Sequence, residues 1–173
     1  IDLGSKDKEQ KTVLFYACKK GNFDLFRLLQ KSYKFDCDDQ DIEGKTILHY
    51  ACNTNNSNLD LVQFIISLGA ITTIKDIYGS TILHIACKNG NYDIASFLIN
   101  HGEININEKD EIGRTPYYKA LLSYENRLIK YLEDLPGIDI TVPKEDFDTN
   151  DDNNIDESSM PISINKEEYD GIT

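Results

Sequence analysis

Two pairs of residues have the spacing of metal ligands. His49 and Cys52, like His84 and Cys87, stand three positions apart. That spacing puts an imidazole and a thiol on one side of a helix, where a zinc ion would accept them. A nucleophile with its base is harder to find. No Ser or Cys stands in a Gly-rich elbow, no Gly-rich loop is suited to cradling a phosphate, and His101 has no partner at a useful spacing. The expectation is therefore a protein that is not an enzyme and carries no cofactor. Whether the His–Cys pairs bind metal depends on the elements that position them.

Those elements are clearest from Asp76 to Gly102. Ile77-Tyr78-Gly79 is a turn signal, because glycine alone takes positive φ without a Cβ penalty. Thr81 is placed to cap a short helix on which Leu83, Ala86 and Cys87 share a face. Gly90 breaks that helix, a second one follows with Ile94, Phe97 and Leu98 on one side, and Gly102 is expected to end it. The unit recurs. Thr12, Thr46, Thr81 and Thr115 lie 34, 35 and 34 residues apart, and Ala17, Ala51, Ala86 and Ala120 keep the same offsets. Thr-Ile-Leu-His-Tyr-Ala-Cys (46–52) nearly repeats Thr-Ile-Leu-His-Ile-Ala-Cys (81–87), with looser copies at 12–18 and 115–121.

At these residues the chain resembles the ankyrin-repeat family, whose signature is Thr-Pro-Leu-His-x-Ala followed by Gly and a Leu-rich second helix. The resemblance covers about residues 10–141. Only the fourth copy keeps the proline, as Pro116; Val13, Ile47 and Ile82 replace it elsewhere, and Phe15 and Tyr118 replace the histidine in the outer copies. It implies an all-α fold, a solenoid of stacked helix pairs with short β-hairpin fingers. The expected division is a lead-in at 1–9, repeats at about 10–41, 42–76, 77–110 and 111–141, and an acidic low-complexity tail at 142–173. Fingers at 71–75 and 104–108 alternate apolar with polar, as a two-stranded ribbon does. In this frame Cys18, Cys52 and Cys87 lie on the buried face of each first helix and behave as small hydrophobes, with Cys37 alone in a finger. The packing reading outweighs the metal one, so no metal site is expected.

The family's usual contact positions, carried onto this sequence, imply a concave partner-binding surface. They are Ile42, Glu43 and Lys45; Ile77, Tyr78 and Ser80; and Glu111, Ile112 and Arg114 on the finger tips. On the helices they are Lys19, Lys20, Asn53, Thr54, Lys88 and Asn89. Apolar Ile77, Tyr78 and Ile112 at exposed tips point to binding more strongly than any charge does. The implied function is a non-catalytic module that binds a partner protein or peptide. The alternatives are a regulatory segment of a larger enzyme, channel or acyltransferase, or a calcium-responsive tail with a degenerate EF-hand-like loop.

Composition narrows the partner. A net charge of −12 argues against nucleic acid, which requires a basic surface. From Val142 onward ten acids stand against Lys144 and Lys166, so the tail carries −8 of that charge. There the run from Phe147 to Glu157 resembles an EF-hand calcium loop, with Asp148, Asn150, Asp152 and Asp156 as ligands, Asn153 at the turn and Ile155 at the apolar position. Its twelfth place is Ser159 instead of a bidentate glutamate, and Pro143 and Pro161 interrupt the flanks, which makes the loop degenerate. The tail's aliphatic residues, Ile155, Met160, Ile162 and Ile164, suggest docking onto the repeats of its own or a neighbouring chain. No run of 18 apolar residues exists to span a membrane. The sequence opens at Ile1 without an apolar signal region or an initiator methionine, and is expected to be a piece of a longer protein. Cysteines without a disulfide framework suit a reducing compartment, so the cytoplasm is expected, with the nucleus also compatible.

Overall fold

The computed structural model describes residues 2–53, 58–101 and 104–142. Among them stand eight helices in four pairs. The first of each pair are short: α1 Val13–Lys19, α3 Ile47–Cys52, α5 Ile82–Lys88 and α7 Pro116–Leu121. The second are longer: α2 Phe23–Ser32, α4 Leu59–Ser67, α6 Tyr92–Asn100 and α8 Asn126–Glu133. Six or seven residues are too few for a helix to persist alone in water, so tertiary packing must hold the inner row. Each inner helix packs on the next, α1 on α3, α3 on α5 and α5 on α7, and α4, α6 and α8 follow behind them. The apolar stripe runs through this stack without a break: Leu14, Ala17, Leu48, Ala51, Leu83, Ala86 and Ala120 are all buried.

Caps explain why the helices begin where they do. Thr12, Thr46, Thr81 and Thr115 precede the inner helices in extended conformation, with φ between −92° and −86°. Pro116 occupies the first turn of α7, where its missing N–H costs nothing. The outer helices use asparagine: the side chains of Asn22, Asn58 and Asn91 accept from Leu25 N, Leu61 N and Ile94 N at 3.0, 3.3 and 3.4 Å. Gly21 and Gly90 turn the corner between helices with φ of 62° and 64°. Helix α8 follows Glu125, whose side chain makes no capping bond.

The fingers stand where the pattern put them, but as turns; no strand occurs among the described residues. Single amides bond to side chains of the preceding finger instead of forming a ladder. Ile71 N donates to Asp38 Oδ1 at 2.8 Å, and Asp139 N donates to Asn107 Oδ1 at 2.8 Å. The expected C-cap at Gly102, Thr54, the calcium-like loop and the acidic tail beyond Val142 lie outside the described residues. No described helix is long and apolar enough to cross a membrane.

Candidate functional site

One device recurs at the base of every finger tip. Asp7, Asp41, Asp76 and Asp110 each open a five-residue turn and close it with a single carboxylate oxygen. Asp41 Oδ1 accepts from Glu43 N and Lys45 N, both at 2.9 Å. Asp76 Oδ1 accepts from Tyr78 N and Ser80 N at 3.0 and 2.9 Å. Asp110 Oδ1 accepts from Ile112 N and Arg114 N at 3.2 and 2.8 Å, and Asp7 repeats the pattern with Glu9 N and Lys11 N. The fourth residue of the turn takes the left-handed conformation: Gln10, Gly44, Gly79 and Gly113, with φ from 62° to 80°.

The tips are then tied to one another. Ile42 N donates to Glu9 O at 3.1 Å, Ile77 N to Glu43 O at 2.9 Å, and Glu111 N to Tyr78 O at 2.9 Å. The result is a continuous row whose backbone is committed and whose side chains face outward. Ile42, Ile77, Tyr78 and Ile112 are each more than half exposed along it.

Behind the row lies a groove of about 360 Å³ between the tips of repeats two to four and the inner helices α3, α5 and α7. Of the residues expected from the sequence, Lys45, Asn53, Tyr78, Ser80, Lys88, Glu111 and Ile112 line it. Ile42, Glu43, Ile77 and Arg114 stand on the tips without lining it, and Arg114 lies over the Tyr118 ring at 5.3 Å. Asn89 is spent on the frame, donating to Cys52 O at 3.3 Å and Asn53 Oδ1 at 3.0 Å. Lys19 and Lys20, at the end of α1, are not part of this groove. A larger cleft of about 530 Å³ under the first finger is lined by Tyr33, Phe35, Cys37 and Ile47, and holds none of the expected contact residues.

Sequence reasoning missed Asp76, Ile85, Asp110 and Lys119, which also line the groove. The signal for the aspartates was their spacing, identical to that of the threonines, and the signal for Ile85 and Lys119 was their shared place four residues after a capping threonine. Half of the charged groups lining the groove are matched by ion pairs. Lys45 Nζ pairs with Glu43 at 2.8 Å, and Lys119 Nζ pairs with Asp110 Oδ2 at 2.7 Å. Burial opposes ionisation of Asp110, but the Lys119 and Arg114 hydrogen bonds outweigh it and hold the carboxyl below its usual range.

His49 and His84 form part of the groove wall, and both ring nitrogens of each are occupied. His49 Nδ1 accepts from Thr46 N at 3.1 Å, and His84 Nδ1 accepts from Thr81 N at 3.2 Å. Nε2–H points across to the next repeat, toward Ser80 O at 3.4 Å and Arg114 O at 3.0 Å. An amide can only donate and a carbonyl can only accept, so each ring is the neutral Nε2–H tautomer. Burial lowers both pKa values, with the carbonyl contacts acting in the opposite sense. These histidines are inter-repeat clamps. Cys52 and Cys87 are buried free thiols whose ionisation burial suppresses, so neither half of the His–Cys pairs is available to a metal.

Residues 1–76 and 54–144 match a family model described as ankyrin repeats in three copies. No curated protein matches the chain.

Proposed function

Because the chain belongs to the ankyrin-repeat family, we propose that it is a non-catalytic interaction module. In this reading a segment of a partner protein lies along the groove between the finger tips and the inner helices of repeats two to four. Ankyrin repeats serve in general as protein–protein interaction modules. The observation that carries the reading for this surface is the row of Ile42, Ile77, Tyr78 and Ile112, held exposed on a hydrogen-bonded backbone. Apolar anchors on a rigid frame lose little entropy on binding, so most of their burial becomes affinity. The four free cysteines, three of them buried, fit a reducing compartment such as the cytoplasm.

The test is affinity capture with the chain as bait, beside Tyr78→Ala and Ile112→Ala versions of it. Neither side chain belongs to the core, so both variants should fold. Each truncation is expected to weaken the captured complex by about tenfold or more, as loss of an interface anchor does. Equal retention by all three baits would remove the groove as the binding surface.

A further inference from the structure

The third repeat departs from the other three at one point, and that point lies in the groove. In every repeat one oxygen of the finger aspartate is used by two backbone amides. In three repeats the other oxygen is used by the side chain four residues after the capping threonine. Tyr16 Oη donates to Asp7 Oδ2 at 2.5 Å, Tyr50 Oη to Asp41 Oδ2 at 2.7 Å, and Lys119 Nζ to Asp110 Oδ2 at 2.7 Å. In the third repeat that position is Ile85, which has nothing to donate. Asp76 Oδ2 accordingly has no hydrogen bond or ion pair among the described residues, although Asp76 is only 7% exposed and lines the groove. That oxygen keeps its contact with water through the groove, so a charged donor arriving from outside can reach it.

The surroundings favour a cationic one. Lys45 and Lys119 are already paired, with Glu43 and Asp110. Of the remaining charged groups lining the groove, Asp76 and Glu111 face Lys88 alone, and none of the three has an ion-pair partner among the described residues. Ile85 gives the subsite an apolar floor suited to the methylene stem of a long basic side chain. The exposed Tyr78 ring on its rim adds an aromatic face, which Lys45 already approaches at 5.9 Å.

We propose that the groove receives a lysine or arginine side chain of the partner protein over Ile85, with its cationic head on Asp76 Oδ2. It would fill from outside the place that Tyr16, Tyr50 and Lys119 fill from within. This rests on the reading of the groove as a partner site, and gives that partner a chemical class: an exposed segment carrying at least one basic residue.

The test uses the whole chain as bait against a displayed library of random heptapeptides. Ile85→Tyr is the decisive variant, because it installs the internal donor that repeats one and two already carry, so the fold should hold. Peptides retained by the unaltered chain should be enriched at least threefold in Lys or Arg at one position, and Ile85→Tyr should abolish that enrichment. Asp76→Asn keeps an oxygen for the two turn amides and should lower the affinity of a retained basic peptide about tenfold. Retained peptides without a basic preference, or a preference unchanged in Ile85→Tyr, would overturn the subsite. If their binding still fell in Tyr78→Ala, the interaction module itself would stand. Retention of no peptide, by a chain shown to be folded, would count against both.

Discussion

Replacing Gly79 by alanine should cost more than the same change at Gly113, and the difference is set by one contact. Both glycines are the fourth residue of a finger turn, with φ of +72° and +80°. A residue with a Cβ pays about 1–2 kcal/mol to hold that conformation. Gln10 already does so at the same place in the first finger, with φ of 62°, so this cost is bearable. At Gly113 nothing lies within 4 Å of the added methyl group. At Gly79 it would sit 2.8 Å from Glu111 N and 3.2 Å from the Cα and carbonyl carbon of Asp110. These are backbone atoms of the next finger, and Glu111 N is the donor of the 2.9 Å bond to Tyr78 O that joins the two tips.

The methyl group cannot be accommodated by a rotamer change, so the tips must separate. That sacrifices one hydrogen bond, worth about 1 kcal/mol, together with some packing around it. Gly79→Ala should therefore lose roughly 2–4 kcal/mol against about 1–2 kcal/mol for Gly113→Ala. Gly44→Ala, whose Cβ would meet Ile77 N at 3.0 Å, should fall between them. Urea denaturation of the three variants, with hydrogen exchange at the Glu111 amide, measures both parts of the argument. Equal losses at Gly79 and Gly113, or a Glu111 amide as protected in Gly79→Ala as in the parent, would refute it.

Acidification should weaken the stack through its two histidine clamps. Burial lowers the folded pKa of His49 and His84 below the ordinary 6.5, so the unfolded chain takes up protons first as pH falls. Stability should be level above pH 6.5 and decline below it until the folded rings also protonate. The urea midpoint at pH 7.5, 6.5 and 5.5 reads this directly; a midpoint that rose on acidification would contradict the clamp, and replacing both histidines by glutamine should flatten the slope. In the core, Leu83→Ala should cost about 2–5 kcal/mol because the side chain is fully buried, whereas Leu28→Ala on the exposed side of α2 should stay within about 0.5 kcal/mol. Similar losses in the two variants would mean that the helical register is wrong.

The inner helices were legible in the sequence because burial there is set by periodicity alone. Leu14, Leu48 and Leu83 recur with the threonines, and nothing but the core can take them. The fingers were less legible. Alternation at Ile71–Lys75 and Ile104–Glu108 is what a ribbon would show, yet it does not say which acceptor a backbone amide will find. Here Ile71 N finds the Asp38 side chain of the preceding finger and Asn107 N finds Asn105 Oδ1 in its own, so turns replace a ladder. The finger aspartates were hidden for a different reason. In a chain with 30 acidic residues, four at the repeat spacing do not stand out until their oxygens are seen on backbone amides.

That second role separates what makes the fold from what distinguishes this surface. Oδ1 of each aspartate belongs to the fold, since without it the turn amides at 43 and 45, or 78 and 80, would lack acceptors. Oδ2 is not needed for the turn, and so it is free to differ between repeats. A tyrosine or lysine beside it makes the repeat self-sufficient, as in repeats one, two and four. An isoleucine beside it leaves that oxygen to water or to a donor from another molecule. The same inner-helix position thus sets whether a finger is closed or receptive, and in this chain only the third repeat, flanked on both sides by closed ones, is receptive among the described residues. A partner that inserts its basic side chain there is held in register along the groove by a single position, while the apolar tips on either side supply the area.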